Sequence, residues 1–355
     1  MSYKRNDMKV AIVANPYYPV PPTKYGGTEW VVYYLIKGLL ERGHQPILLG
    51  TGDSKVDCEL ISIVDKAIPF PRKSTPGFRQ AVARSLAKTS IELKKIAPHV
   101  DIIHSMDFDL KNFSKYPNVT TIHGHIGFDN LPFFQARRGL SYISISKNQQ
   151  AAFPDLDYVG VVYNGLDPAG FPIVTTPKNY LCFLGRFDWD KSPHLAIQLA
   201  ISLGMRIKIA GKIDYGGVKY FKDQIQPYLS HPLVEFLGEL SFPEKVVLIS
   251  NAKCNLHPLL TRREPFGLTV IESAYCGTPT LAMRRGSMPE LIEDGKTGIL
   301  VEDFVEGYHE IEKCFSMDRK YIAQRTRTKF NYVNMTKDYL KAYKKVLREF
   351  DKSKN

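Results

Sequence analysis

Short apolar runs alternate along the whole chain with stretches of helical periodicity, and glycine, proline or polar turns separate them. The first unit shows the pattern. Residues 10–14 are an apolar run suited to a buried strand. A loop with four prolines and the pair Gly26-Gly27 follows, which excludes helix or central strand. Thr28 is placed to cap a helix whose apolar positions Val31, Val32, Leu35, Ile36, Leu39 and Leu40 recur at helical spacing. Gly43 closes that helix, and residues 46–49 read as a second strand. Strand, glycine-rich loop, helix and strand in that order open a doubly wound α/β domain with a parallel sheet. Gly26-Gly27 is not the G-x-G-x-x-G dinucleotide fingerprint, so a nicotinamide cofactor is disfavoured.

The alternation continues with a helix over 77–97 and strands at 101–104, 119–123, 142–145 and 159–162. His104 and His123 fall at strand ends, where α/β sheets bind ligands, and a structural or a functional role is equally open for them. Residues 166–178 hold Pro168, Gly170, Pro172 and Pro177 and read as a linker. A second series then starts. It has strands at 180–184, 207–210, 234–236, 254–257, 280–282 and 299–301. Helices fall at 194–203, 218–229 and 243–250, and a basic helical tail covers 331–350. Two α/β domains of similar size, 1–168 and 169–335, are expected, with residues 336–355 as a helix crossing back to the first. A cleft between their sheets is the natural ligand site.

The 355 residues are enough for two cores, and no apolar run approaches the roughly 18–20 residues of a membrane span. Residues 10–14 are too short for a signal-peptide core, and five cysteines without CxxC spacing give neither a zinc site nor a disulfide framework. A cytoplasmic protein is expected. The net charge is +12. The segment from Arg72 to Lys95 carries seven basic residues against Glu92 alone, suited to a solvated face, a phosphorylated acceptor or an anionic membrane surface at the inner leaflet. Nothing resembles a nucleic-acid-binding motif.

The stretch from Glu264 to Pro279 carries the most chemistry. Glu264 and Glu272 flank Phe266-Gly267, and Leu268, Ile271, Ala274 and Tyr275 recur on one face of a short helix. The free N–H groups at the start of such a helix can receive a phosphate. Glu264 would stand just before that start and Glu272 on the second turn. The alternative is a pair of solvated surface glutamates.

The stretch resembles the E-x7-E motif, with Gly-x-Pro after it, of the family 4 glycosyltransferases. Gly185-Arg186 with Lys191 is similar to that family's phosphate-binding element, and residues 163–167 (Tyr-Asn-Gly-Leu-Asp) to its hinge signature. Gly26-Gly27 and Thr121-Ile122-His123-Gly124 match its N-domain loops. The resemblance implies the α/β GT-B fold, two Rossmann-like doubly wound domains facing across a cleft. It implies a retaining, metal-independent transfer of a hexose from a UDP- or GDP-linked donor to an unknown acceptor, which is a small molecule, a glycan or lipid-linked. No cofactor beyond the nucleotide sugar is expected. Catalytic roles pass to His123, Arg186, Lys191 and Glu264, and donor binding to Gly26, Gly27, Asn164, Gly185, Arg186, Lys191, Gly211, Glu264, Phe266, Gly267, Leu268 and Glu272. Glu272 would hold the ribose and Glu264 the donor sugar.

Retention ordinarily suggests a carboxylate nucleophile. The family's usual account is front-face attack assisted by the departing phosphate, so no nucleophile is assigned. Asp107-Phe-Asp109 is a nominal DxD match expected to be loop. Trp30, Arg262-Arg263 and His257 depart from the family pattern or are left undecided. Within the same fold an epimerase or an inverting transferase is the alternative, and outside it a non-catalytic binder of nucleotide sugar or anionic surfaces.

Overall fold

The computed structural model describes residues 7–69, 71, 75–127, 129–260 and 264–354. Arg72 and Lys73 of the basic segment, and Arg262-Arg263, lie outside them. Seven parallel strands form the first sheet: β1 (Lys9–Val13), β2 (Gln45–Thr51), β3 (Glu59–Val64), β4 (Ile102–Ser105), β5 (Asn118–Ile122), β6 (Tyr142–Ser144) and β7 (Tyr158–Val161). Their order is β3-β2-β1-β4-β5-β6-β7. Six parallel strands form the second: β8 (Leu181–Leu184), β9 (Ile207–Ala210), β10 (Val234–Gly238), β11 (Cys254–His257), β12 (Thr280–Met283) and β13 (Gly298–Val301). Their order is β10-β9-β8-β11-β12-β13. Each order reverses once, between β1 and β4 and between β8 and β11. That reversal opens a crevice at the strands' carboxyl ends, because the connections leave in opposite directions there. The expected doubly wound α/β architecture is therefore present twice.

The helices of the first half are α1 (Gly27–Leu40), α2 (Pro76–Ile96), α3 (Leu131–Gln135) and α4 (Lys147–Ala152). Those of the second are α5 (Pro193–Ser202), α6 (Val218–Tyr220), α7 (Phe242–Asn251), α8 (Leu268–Tyr275), α9 (Met288–Leu291), α10 (Phe304–Phe315), α11 (Arg319–Lys329) and α12 (Tyr332–Lys354). Thr28 does not cap α1. That helix starts two residues earlier than a cap at Thr28 implies, with Gly26 in the cap position at φ 147°. The helix expected over 218–229 tightens and loosens along its length, as α6, a π turn and a 3-10 turn containing Pro227. The ring of Pro227 removes a helical donor, which accounts for the break.

The long tail helix α12 packs against α1 and the first sheet. A side-chain carbon at Gly38 of α1 would fall 2.1 Å from the Thr336 hydroxyl, so only glycine permits this crossing. Tyr339 and Tyr343 of α12 are buried. The chain thus passes between the sheets twice, near residues 165–171 and near 330–332. The two passages touch: the Tyr332 amide donates to the Leu166 carbonyl at 3.1 Å. A Cβ on Gly165 would lie 2.3 Å from the Asn331 carbonyl carbon. The sheets are also joined at the cleft edge, where the Glu290 carboxylate accepts from the first amides of α4, Lys147 at 2.9 Å and Asn148 at 2.8 Å, and from the Tyr163 hydroxyl at 2.7 Å.

Candidate active site

The two crevices face each other across a single cavity of about 680 Å³. From the first sheet come the loop after β1, the start of α1, and the loops after β4 and β5. From the second come the turns after β8 and β9, the end of β10, α7 and the start of α8. All the residues proposed from sequence line it: Gly26, Gly27, His123, Asn164, Gly185, Arg186, Lys191, Gly211, Glu264, Phe266, Gly267, Leu268 and Glu272.

The second-sheet wall is built on close backbone contacts. Gly211 has φ 150°, and a Cβ there would sit 1.6 Å from the Gly185 carbonyl oxygen, so the two turns lie flat against each other. Gly267 caps α8 at φ 98°, and an added Cβ there would come 2.8 Å from the Met288 methyl. The first amides of α8 have no turn before them to bond to. Across the cleft, Gly27 faces Leu268 so closely that a Cβ would come 2.9 Å from its Cδ1.

Charge is held in pairs. The Arg186 guanidinium lies 3.3 Å from Asp188 and 3.7 Å from Asp214. Burial alone would lower its pKa, but Tyr25, Asp188 and Asp214 outweigh that and hold it protonated. Lys191 Nζ donates to Glu264 Oε2. Burial, and next Arg186, push the Lys191 ammonium down to about 8. Glu272 is buried and accepts from Lys245 Nζ of α7 at 2.6 Å. Neither glutamate of the E-x7-E stretch is therefore a solvated surface residue.

The first-sheet wall holds the histidines. His123 Nε2 is 3.3 Å from Met106 Sδ, and burial pushes its pKa down to about 4, so it faces the cavity as a neutral ring. His104 resolves the other way. Its Nε2 bonds Thr121 Oγ1 and its Nδ1 the Tyr343 hydroxyl, both at 2.7 Å, beneath α12 and away from the cavity. It is a core histidine. His257 is buried behind Lys191 and Glu264, its Nε2 without a hydrogen-bond partner among the described residues and 3.7 Å from Glu264 Oε2. Trp30 does two things: its ring packs 5.1 Å from Phe242 of the opposite domain and 5.8 Å from Tyr34, and it lines the cavity. Asp109 is loop as expected, and ion-pairs with Arg137 at 2.6 Å.

Some cavity residues were not anticipated. Glu29 is buried, accepts from Asn15 Nδ2 at 2.6 Å, and is pushed up to about 7 by burial. Its position after Gly26-Gly27-Thr28 was the available signal. Asp107 is accessible from the cavity yet closely surrounded by protein, and that desolvation raises its pKa. Lys245 carried no signal, since only folding brings α7 beside α8. Among the described residues no group of three His, Cys, Asp or Glu side chains is arranged to hold a metal ion.

Residues 25–169 match the family model Glycosyltransferase Family 4, and residues 172–324 match Glycosyl transferases group 1. A glycogen synthase of Mycobacterium tuberculosis is 25% identical over 345 aligned residues, covering 82% of each chain. An uncharacterized glycosyltransferase of Methanocaldococcus jannaschii, MJ1178, is 26% identical over 83% of this chain and 84% of its own. The fold is similar to that of sucrose-phosphate synthase from Thermosynechococcus elongatus, with a TM-score of 0.74 at 16% identity over 96% of this chain and all of that one. It is similar also to that of the Anabaena protein HepE, solved with UDP and glucose, with a TM-score of 0.69 at 19% identity over 95% and 99%. Two family models that divide the chain between its two sheets, and a cavity lined by the motif residues of both, lead to one assignment: the chain belongs to the family 4 glycosyltransferases of GT-B architecture.

Proposed function

We propose that this glycosyltransferase moves a hexose, with retention and without a metal ion, from a nucleoside-diphosphate donor to an alcohol. The observation that carries the reading is the convergence of Arg186, Lys191 and the open start of α8 on one wall of the cavity. These are cations and N–H donors aimed where a diphosphate gains charge as it leaves. The bond from the sugar C1 to the phosphate oxygen breaks, and its electron pair departs with the diphosphate. The acceptor oxygen bonds C1 from the same face, and its proton passes to the departing phosphate oxygen. Charge stabilisation at such a position is commonly the largest catalytic contribution. His123, neutral at pH 7, suits a hydroxyl of the transferring sugar, and Glu272 suits the ribose hydroxyls, since a carboxylate accepts two hydrogen bonds.

A panel of nucleotide sugars, scored by thermal shift and by slow donor hydrolysis, tests this, with UDP-sugars first because HepE was solved with UDP. Stabilisation without breakdown would favour a non-catalytic binder. A free epimeric nucleotide sugar would favour an epimerase, and an inverted glycoside an inverting transferase. Glu272→Ala is expected to weaken nucleotide binding about 10–100-fold, because it removes the ribose contact and leaves the Lys245 ammonium unpaired in a half-buried site. Calorimetric titration with the free nucleotide measures it.

Peripheral membrane contact is proposed for the basic segment. α2 exposes Ile91 on the same face as Arg84, Lys88 and Lys95, an arrangement that suits an anionic bilayer surface. Sedimentation with liposomes should then rise with the anionic lipid fraction, and independence from it would remove the proposal.

A further inference from the structure

The two ends of the cavity differ in chemistry. The donor end is lined by Arg186, Lys191, Glu264, Glu272 and Lys245. The end inside the first domain is walled by Phe108, Leu110, Phe134, Leu140 and Tyr142, with Phe133 at its mouth. Leu110, Phe134 and Tyr142 are buried, whereas Phe133 is 42% exposed. Phe134 meets Phe133 edge-on at 5.3 Å and Tyr142 edge-on at 6.0 Å, so the rings form one continuous surface. The charged pair at this end is spent on itself. Arg137 donates to Asp109 at 2.6 Å and to the Phe133 carbonyl at 2.9 Å, and its guanidinium lies 3.6 Å over the Phe133 ring. This clamp ties the loop after β4 to α3 and holds the apolar pocket open between them. Arg137 Nε is buried and has no partner among the described residues.

Against these faces a sugar would meet few polar side chains, Thr120 and the already bonded Asn130 among them, so most of its hydroxyls would lose water without gaining partners, which is costly. Hydrocarbon would gain what the hydroxyls lose. His123 and Asp107, polar groups from the loops after β5 and β4, line the same cavity.

Resting on the transfer reading above, we propose that the acceptor is an amphipathic alcohol. Its hydroxyl end lies beside His123 and Asp107, and its apolar body fills the pocket walled by Phe108, Leu110, Phe134, Leu140 and Tyr142.

The probes are straight-chain alcohols from ethanol to 1-octanol, added to the full chain with the donor it hydrolyses. Each competes with water for the sugar. The ratio of alkyl glycoside to free sugar is expected to rise about two- to fourfold per methylene until the pocket is full. In Leu140→Asp the dependence on chain length should flatten. That slope does not depend on the fraction of folded enzyme, so misfolding cannot imitate the result. Donor breakdown with a flat series in the wild type overturns the inference and leaves the transfer reading standing. Where no donor is broken down, the transfer reading fails by itself. Saturation-transfer NMR of 1-octanol with the free chain then decides the pocket: signals absent from the wild type, or unchanged in Leu140→Asp, overturn it.

Discussion

Replacing Lys191 by alanine is expected to lower kcat by about 10²–10³-fold, the usual cost of losing one group that stabilises developing charge in a water-poor site. On the proposed reading the donor KM should move far less, because Arg186 and the start of α8 would still hold the ground-state diphosphate. The substitution also strips Glu264 of the ammonium it accepts from, in a position where its side chain is only 11% exposed. Glu264→Gln in the same background separates the two effects by relieving the orphaned charge without restoring the cation. A pH signature accompanies the loss. Burial destabilises the charged form of Lys191, so it is protonated below about 8 and neutral above. In the wild type, kcat/KM for the donor should therefore fall as pH rises through that value, since this parameter reports the free enzyme. The fall should be absent from Lys191→Ala. In kcat it should move to higher pH, because a bound diphosphate favours the ammonium. Wild-type turnover in Lys191→Ala, or a basic limb that survives in it, would remove Lys191 from the leaving-group role.

Gly211→Ala is expected to destabilise the chain by about 3–5 kcal/mol, through a left-handed backbone and a steric overlap together. At φ 150° the added methyl would stand 1.6 Å from the Gly185 carbonyl oxygen, so the turns after β8 and β9 must separate. Gly185 and Arg186 move with the first of them, and donor binding should fall in step. Gly43→Ala is the matched comparison: its φ is also positive, at 76°, but nothing lies within 4 Å of the added carbon. It should cost only about 1 kcal/mol. Thermal unfolding of both variants, each with and without the donor nucleotide, measures the difference. Equal melting temperatures would show that the contact between the two turns does not matter.

The alternation of apolar runs and helices was legible in the sequence because parallel strands buried on both faces leave continuous hydrophobic runs. Two of the elements that were not read, β3 and α11, lacked that mark. β3 begins with Glu59, carries Ser62, and is half-buried at the edge of its sheet, so it reads as loop. α11 is mostly Arg, Lys and Thr, and hides one of its arginines instead of a leucine stripe. Arg319 bonds the carbonyls of Ala252 at 3.0 Å and Ser250 at 2.8 Å. The motif residues of the site were readable because each lies in a short local pattern. Their counter-charges were not. Lys245 meets Glu272, and Lys191 meets Glu264 from 73 positions away, only once the second sheet has formed. α12 separates the two strand-end histidines: it covers the His104 ring and leaves His123 facing the cavity, a difference with no local mark in the sequence.

The double passage of the chain between the domains sets how they can move. Two crossings in contact, at Gly165 and Asn331, act as adjacent pins on one side of the molecule. A body hung on two neighbouring pins swings about the line that joins them and resists sliding or twisting across it. Opening would therefore lift the far rim of the cleft, where Tyr25 donates to Glu239 at 3.2 Å. The stretch around Asn164, next to the pins, would barely shift. Donor and acceptor would enter through a gap that widens with distance from the hinge, as through a door ajar, and the wall beside the hinge would keep its shape throughout.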